Sequence, residues 1–296
     1  MLCLGSHVSV AGGLHLGVQR ATALGCQCLQ VFTKNANAWQ AKPLDPKAIA
    51  AWKTALAEAG LVHPIAHASY LINLASPQAD LQQKSIDALV VEWQRCEALA
   101  IEGLVLHPGA YTTSDAAQGI SRVVDGVVAA AQQVSPVHCR LLLENTAGQG
   151  TCLGHSLTQL GEILERVFQQ LPRASEPLGA NEQLGICLDT CHAFAAGYAI
   201  QSDAGFADFC QELDAVLPAG AVRALHLNDS KKPLGSRVDR HEHIGRGEIG
   251  LAGFRNFFAH PLLGVLPGYL ETEKGIDPQT GREWDAINLE VLRGLS

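Results

Sequence analysis

The sequence predicts an α/β fold: a single (β/α)8 TIM-type barrel, one domain over residues 1–296, with its chemistry at the C-terminal face of the strands. Three observations carry this expectation. Short apolar runs alternate strictly with longer segments of helical period, eight of each, and eight β–α units are the number that closes a parallel barrel. Apolar residues make up 47% of the chain and charged residues only 17%, which supplies a large core. Six candidate strands also end on a histidine or a carboxylate, at the end where such barrels place their chemistry.

The units follow in order. An apolar run at 2–6 precedes helical period over 14–24. Runs at 28–33 and 63–67 precede helices at 46–59 and 77–100. Runs at 103–107 and 140–144 precede helices at 115–133 and 156–170. Runs at 184–189 and 222–227 precede helices at 203–216 and 251–259. A last run at 266–271 leads to a helix at 284–292. No repeat, low-complexity tract or interdomain linker interrupts them, and 172–181, rich in Pro, Ala and Gly, reads as an exposed loop.

Bulk composition narrows the function classes. No apolar run approaches the ~20 residues that a membrane helix needs. The N-terminus shows no basic segment followed by a long apolar one, so no secretory signal is expected. Nine cysteines are scattered without a C-x-x-C pair, which suits free thiols in a reducing cytoplasm better than a disulfide framework. The formal charge of −8 neither supports nor excludes a polyanionic partner, because bound divalent ions would offset most of it.

Chemistry concentrates on the strand ends. His67, His107, Glu144, Asp189, His226 and Glu271 close six of the runs, and His192, Asp239 and His241 lie close behind. A single such ending is usually a polar residue meeting water. Several carboxylates on one rim would repel and resist ionisation unless cations neutralised them. Histidine-rich ligation favours zinc or a similar transition ion over magnesium, and the set suits more than one ion. Asp239 and His241, two apart, leave the same face of an extended chain. Lys231, Lys232, Arg237 and Arg240 around them would hold phosphate.

Gly245-Arg246-Gly247-Glu248-Ile249-Gly250 matches G-x-G-x-x-G by letter, but it follows no strand and opens no early βαβ unit, so a dinucleotide site is not expected. His7 and His243 are read either as partners that orient ligands or as satisfied buried histidines. His15, His63, His138, His155 and His260 are read as ordinary.

The stretches His67-Ala68-Ser69-Tyr70-Leu71-Ile72-Asn73-Leu74, His107-Pro108-Gly109, Glu144-Asn145-Thr146-Ala147-Gly148-Gln149-Gly150, Leu188-Asp189-Thr190-Cys191-His192-Ala193-Phe194-Ala195-Ala196-Gly197-Tyr198, residues 225–245 and Leu270-Glu271-Thr272 resemble endonuclease IV, the zinc-dependent apurinic/apyrimidinic endonuclease family. The resemblance runs from Gly5-Ser6-His7-Val8-Ser9 to the C-terminus. It implies a three-zinc site: the first ion on His67, His107 and Glu144; the second on Glu144 as a bridge with Asp189, His226 and Glu271; the third on His192, Asp239 and His241. It implies hydrolysis of the phosphodiester 5′ to abasic sites, leaving a 3′-hydroxyl, with removal of 3′ blocking groups as well. The nucleophile would be a metal-bridging hydroxide, with Glu144 as the catalytic residue that holds the metal pair. Double-stranded DNA containing abasic sites is the implied partner, with no membrane, a monomeric chain and a cytoplasmic location.

Tyr70 and Leu71 resemble the family residues that enter DNA at the lesion. Asn35 lies in a loop resembling a DNA-contacting one, and Lys34, Lys231, Lys232 and Arg237 are candidate backbone contacts. Ala36 and Ala38 stand where relatives often carry longer polar or basic side chains, which bears on affinity rather than chemistry. Ala199 and Glu273 also depart from the family pattern. Two rivals are weighed. A divalent-metal sugar isomerase of the same barrel type is opposed by the Asp239/His241 pair and its basic loop. A non-catalytic binder of damaged DNA would have no need of a complete ligand set.

Overall fold

Strands buried on both faces must be apolar along their length, and the central strands are buried almost throughout. In the computed structural model, which describes residues 3–171 and 183–295, these are β1 (Leu4–His7), β2 (Cys28–Val31), β3 (Ile65–His67), β4 (Gly103–Leu106), β5 (Arg140–Glu144), β6 (Leu184–Asp189), β7 (Val222–His226) and β10 (Gly268–Leu270). All pairings between them are parallel, and they close a barrel in the order β1-β10-β7-β6-β5-β4-β3-β2. The expected loop at 172–181 lies outside the described residues.

One layer of inward side chains fills the barrel: Cys28, Ile65, Val105, Leu142, Cys187, Ala224 and Tyr269, one from each of seven strands. The eighth strand contributes Gly5, where a Cβ would lie 1.9 Å from the Cys28 carbonyl oxygen. Only glycine lets β1 approach β2 there.

Around the barrel lie α1 (Leu14–Ala23), α2 (Pro46–Ala59), α3 (Ala79–Leu99), α4 (Ala116–Val134), α5 (Leu157–Gln170), α7 (Asp203–Val216), α8 (Gly250–Ala259) and α9 (Trp284–Arg293). Side-chain caps start several of them: Asp45 before Pro46, Asp115, Ser156 and Ser202 each accept a backbone N–H of the first turn, satisfying donors that have no partner within the helix. Trp52 and Trp93, both fully buried, donate their indole N–H to the carbonyls of Leu99 and Cys139 at 3.0 and 2.9 Å, so large apolar surface is buried without an orphaned donor.

Three additions were not foreseen. Helix α6 (Thr190–Ala196) begins directly after β6 because Asp189 caps it, its Oδ1 accepting from His192 N at 2.7 Å. A two-residue ribbon pairs β8 (Asp229–Ser230) with β9 (His241–Glu242) antiparallel. A 3-10 turn covers Leu263–Val265. The barrel strands also stop short of their expected ends at His107 and Glu271, which stand one residue beyond β4 and β10. Strand β7 carries a bulge: Ile186 pairs with Val222 but Cys187 with Ala224, leaving Arg223 as the extra residue. All nine cysteines are free thiols. No described helix is long and apolar enough to cross a membrane.

Candidate metal centre

Parallel strands deliver their last side chains to one mouth, so residues far apart in sequence converge there. Glu144, at the end of β5, is fully buried and lies at the middle. Its Oε2 faces Nε2 of His67 at 3.2 Å and of His107 at 2.9 Å. Its Oε1 faces Nδ1 of His226 at 2.7 Å and of His192 at 3.4 Å. One carboxylate is thus divided between two groups of imidazoles.

Donor atoms gather into compact sets, each within 4.8 Å: His67/His107/Glu144, Glu144/Asp189/His226/Glu271 and His192/Asp239/His241. A fourth set, Asp189/Cys191/His241, meets the same limit. There, however, burial pushes the Cys191 thiol up to about 12, and a protonated thiol is a poor ligand.

The outer partners test whether this arrangement fits metal. His67 Nδ1 donates to the Ala68 carbonyl at 2.7 Å. His192 Nδ1 donates to the Asn145 carbonyl at 2.9 Å, and His241 Nδ1 to the Glu271 carbonyl at 3.2 Å. His226 Nε2 donates to Gln30 Oε1 at 2.7 Å. Each of these four imidazoles therefore commits one N–H outward, which orients the ring and presents the other nitrogen to a carboxylate, as metal-ligating histidines do. His241 Nε2 is buried with no hydrogen bond, yet it lies 3.2 Å from Asp239 Oδ1 and 3.6 Å from Asp189 Oδ2. Something cationic must stand between such groups, a proton or a metal ion. The donor set, nitrogen-rich with hard carboxylates, fits zinc-type ligation.

Electrostatics follow from this crowding. Burial alone would raise the Glu144 carboxyl, but His226 and His107 outweigh it and hold it well below the usual range. Glu271 is held down likewise against burial, first by His226 and then by its hydrogen bond to His7. Burial disfavours a charged His241, but the neighbouring carboxylates of Asp189 and Asp239 prevail and bring it to about 8. His192 moves upward against the same burial, with Asp189 and Asp239 responsible.

Supporting residues lie one layer out, and most were not singled out from the sequence. Gln30 reaches His226, His7 and Glu271 with one amide. Asn145 brackets Asp189 by accepting from its N–H at 2.7 Å and donating to its carbonyl at 3.0 Å. Asn228 Nδ2 donates to Asp189 Oδ2 at 2.6 Å while its Oδ1 accepts from Glu271 N at 2.8 Å. An amide inside the apolar run of β2 was the available signal for Gln30, whereas Asn228 lies between β7 and β8, outside any strand. His7 touches Glu271 at 3.2 Å. His243 instead stacks on Trp284 at 3.9 Å and contacts Asn288, away from the ligands.

The G-x-G-x-x-G segment has an internal anion. The Asp229 carboxylate accepts from the backbone N–H of Ser230, Gly245, Gly247 and Ile249 at 2.8–3.0 Å. Glycine is required at 247, where a Cβ would lie 2.4 Å from the Ser230 carbonyl oxygen. The loop closes on β8 and so steadies the ribbon that presents His241.

Tyr70 stands 60% exposed at the mouth, edge-on to Phe32 and 5.2 Å from the His67 ring. It walls two recesses. One, of about 1040 Å³, is also lined by Asn35, Lys231, Asp239 and Glu271; the other, of about 250 Å³, by Asn73, His107, His192 and Asp239. Leu71 follows Tyr70 and is half-buried. Lys232 and Arg237 are exposed but line neither recess. Lys231 is exposed and pairs with Glu273 at 3.3 Å. Lys34 also lines the larger recess, from beneath. Its side chain, 4% exposed, pairs with buried Glu92 at 3.0 Å and donates to the Ala38 carbonyl at 2.6 Å. Glu92 in turn accepts from Ser69 N at 3.1 Å, so this lysine anchors the loop beneath Tyr70 instead of offering a free charge.

A family model described as "Xylose isomerase-like TIM barrel" matches residues 18–273. "Probable endonuclease 4" of Citrifermentans bemidjiense is 41% identical over 99% of this chain and 98% of its own length. The protein of the same name from Chloroflexus aurantiacus is 42% identical over 98% and 97%. Among solved structures, endonuclease IV from Thermus thermophilus superposes with a TM-score of 0.82 at 34% identity, covering 99% of this chain and 98% of that one. A D-tagatose 3-epimerase-like protein, at TM-score 0.69 and 18% identity, shares the barrel alone. With fold, donor clusters and full-length identity in agreement, the chain belongs to the endonuclease IV family.

Proposed function

We propose that this chain is a DNA-repair endonuclease that hydrolyses the phosphodiester 5′ to abasic sites in duplex DNA, leaves a 3′-hydroxyl, and also clears 3′ blocking groups. The observation that carries the reading is the division of Glu144: one oxygen toward His67 and His107, the other toward His226 and His192. We assign a first zinc to His67, His107 and Glu144, a second to Glu144, Asp189, His226 and Glu271, and a third to His192, Asp239 and His241. Zinc bound there supplies Lewis acidity toward phosphate oxygens and makes a hydrolytic nucleophile available near neutral pH.

The chain's own residues do the positioning. Glu144, fully buried and held ionised by the imidazoles around it, and Asp189, fully buried against the Asn228 amide, would hold the bound ions on one rigid frame. Burial beneath the mouth excludes bulk water and strengthens every charge interaction there. Tyr70 and Leu71 on the rim occupy the gap left by a missing base, a deformation that costs less where stacking is already lost. Asn35 and Lys231 face the larger recess and contact the DNA backbone, with Lys232 and Arg237 further along the strand. The protein works as a monomer in the cytoplasm.

The test is a magnesium-free nicking assay on duplex carrying one stable abasic analogue, with metal analysis of the same sample. Incision on the 5′ side at about three zincs per chain is expected. Full occupancy without incision would remove the reading.

A further inference from the structure

At the barrel end remote from the histidine–carboxylate mouth, the starts of the strands wall a recess of about 280 Å³. Two arginines line it. Arg140 is the first residue of β5. Arg223 is the extra residue of the β7 bulge, and a bulge re-aims the side chain it carries. Gly185, on β6 between them, leaves room for the arginine stem: a Cβ there would lie 2.7 Å from Arg223 Cγ and 3.1 Å from Leu142 Cδ2.

Neither arginine side chain makes an ion pair or hydrogen bond with any described residue, and Nε of each is buried. That is unusual in a chain with 29 acidic residues against 21 basic ones, because a buried polar donor left unpaired is costly. One carboxylate, Glu102, lines the recess, and it is taken by His63 Nδ1 at 2.9 Å. His63 is itself fixed, its carbonyl accepting from the Tyr269 hydroxyl at 2.6 Å. Ile65, Leu142 and Val265 supply apolar walls.

We propose that this floor is a binding site for a small phosphate-bearing anion, held between the Arg140 and Arg223 guanidinium groups. Guanidinium is the side chain best matched to phosphate oxygens. The volume lies just below the usual range for drug-sized ligands, so it admits inorganic phosphate or a phosphomonoester with a small substituent and excludes a nucleic-acid strand. Bound there, the anion ties β5 to β7 across β6. These strands carry Glu144 and His226 at their other ends, so the ligand braces the frame of the metal centre from below.

Thermal unfolding of the full-length chain, followed while inorganic phosphate is titrated against chloride at constant ionic strength, tests the assignment. A saturable rise in Tm specific to phosphate is expected. Phosphate can also meet the opposite mouth, so the arginines must be shown to carry the effect: the Arg140→Gln/Arg223→Gln pair should abolish it. Glu102→Gln, which keeps both arginines and removes the one facing carboxylate, should bind phosphate several-fold more tightly. Phenyl phosphate run in parallel separates the sources. A stronger response to it assigns the site to phosphomonoesters, and a stronger response to phosphate assigns it to the free anion. Equal shifts with phosphate and chloride, or a shift undiminished in the double variant, would overturn the site. If the double variant does not fold, unchanged phosphate affinity in Glu102→Gln overturns it instead.

Discussion

The amide oxygen of Gln30 lies 2.7 Å from Nε2 of His226, and that contact decides which nitrogen of His226 faces Glu144. With Nε2 donating outward, Nδ1 is the nitrogen presented to Oε1 at 2.7 Å. The same amide donates to Glu271, so one side chain orients two members of a donor set. Gln30→Ala should lower metal affinity or nicking by about 10–100-fold, the usual effect of losing such a partner. Metal analysis and the nicking rate report this. Wild-type metal retention and rate together would show that the ring is held by packing alone.

Glu144→Gln should cost more than the ~100-fold expected for an outer partner, because it removes the charge shared by two donor sets. Metal content is the first readout, since the ions must leave before or with the activity. His226→Ala and Glu271→Gln should deplete the second set and leave the barrel folded by circular dichroism.

Metal affinity at His192/Asp239/His241 should fall as pH drops below about 8. With His241 brought to about 8 by Asp189 and Asp239 against its burial, an incoming ion must displace a proton below that pH, and ligation requires the neutral ring. Calorimetry in buffers of different ionisation enthalpy would read the released proton. The metal-free fold behaves oppositely. A raised imidazole stabilises it below the unfolded value near 6.5, and that contribution is lost as pH rises through about 8. Affinity independent of pH between about 6 and 9 would contradict the assignment.

Lys34→Ala should destabilise the fold by about 3–5 kcal/mol, because it strands the buried carboxylate of Glu92. Chemical denaturation measures the loss. Lys231→Ala, at an exposed pair, should leave stability within about 0.5 kcal/mol and instead flatten the salt dependence of DNA binding. Equal stability of the two variants would reject the anchoring role of Lys34.

Tyr70→Ala should weaken binding to abasic duplex while leaving zinc content and Tm near the parent's, since the ring is mostly exposed. Gel-shift titration with abasic and intact duplexes is the comparison. An unchanged preference for the lesion would remove Tyr70 from recognition.

The sequence by itself determined the barrel and the donors at its mouth. Apolar runs in alternation with helical period are local signals, and every barrel strand formed within a few residues of its expected place, as β5 and β6 did at 140–144 and 184–189. Side chains at strand ends are likewise readable one strand at a time, which is why His67, Glu144 and His226 were visible as donors. Helix α6 was hidden because its cap, Asp189, reads equally well as a strand-end carboxylate. The family resemblance already implied which donors share a set, but only the tertiary structure decided which nitrogen each ring presents and what holds each ring. Those contacts join residues as distant as Gln30 and His226, 196 positions apart, and no periodicity encodes such a distance. Lys34 shows the same limit: a lysine beside a polar loop reads as solvated until the fold brings Glu92 beneath it. Local pattern sets secondary structure, whereas burial and partnership exist only once the barrel has closed.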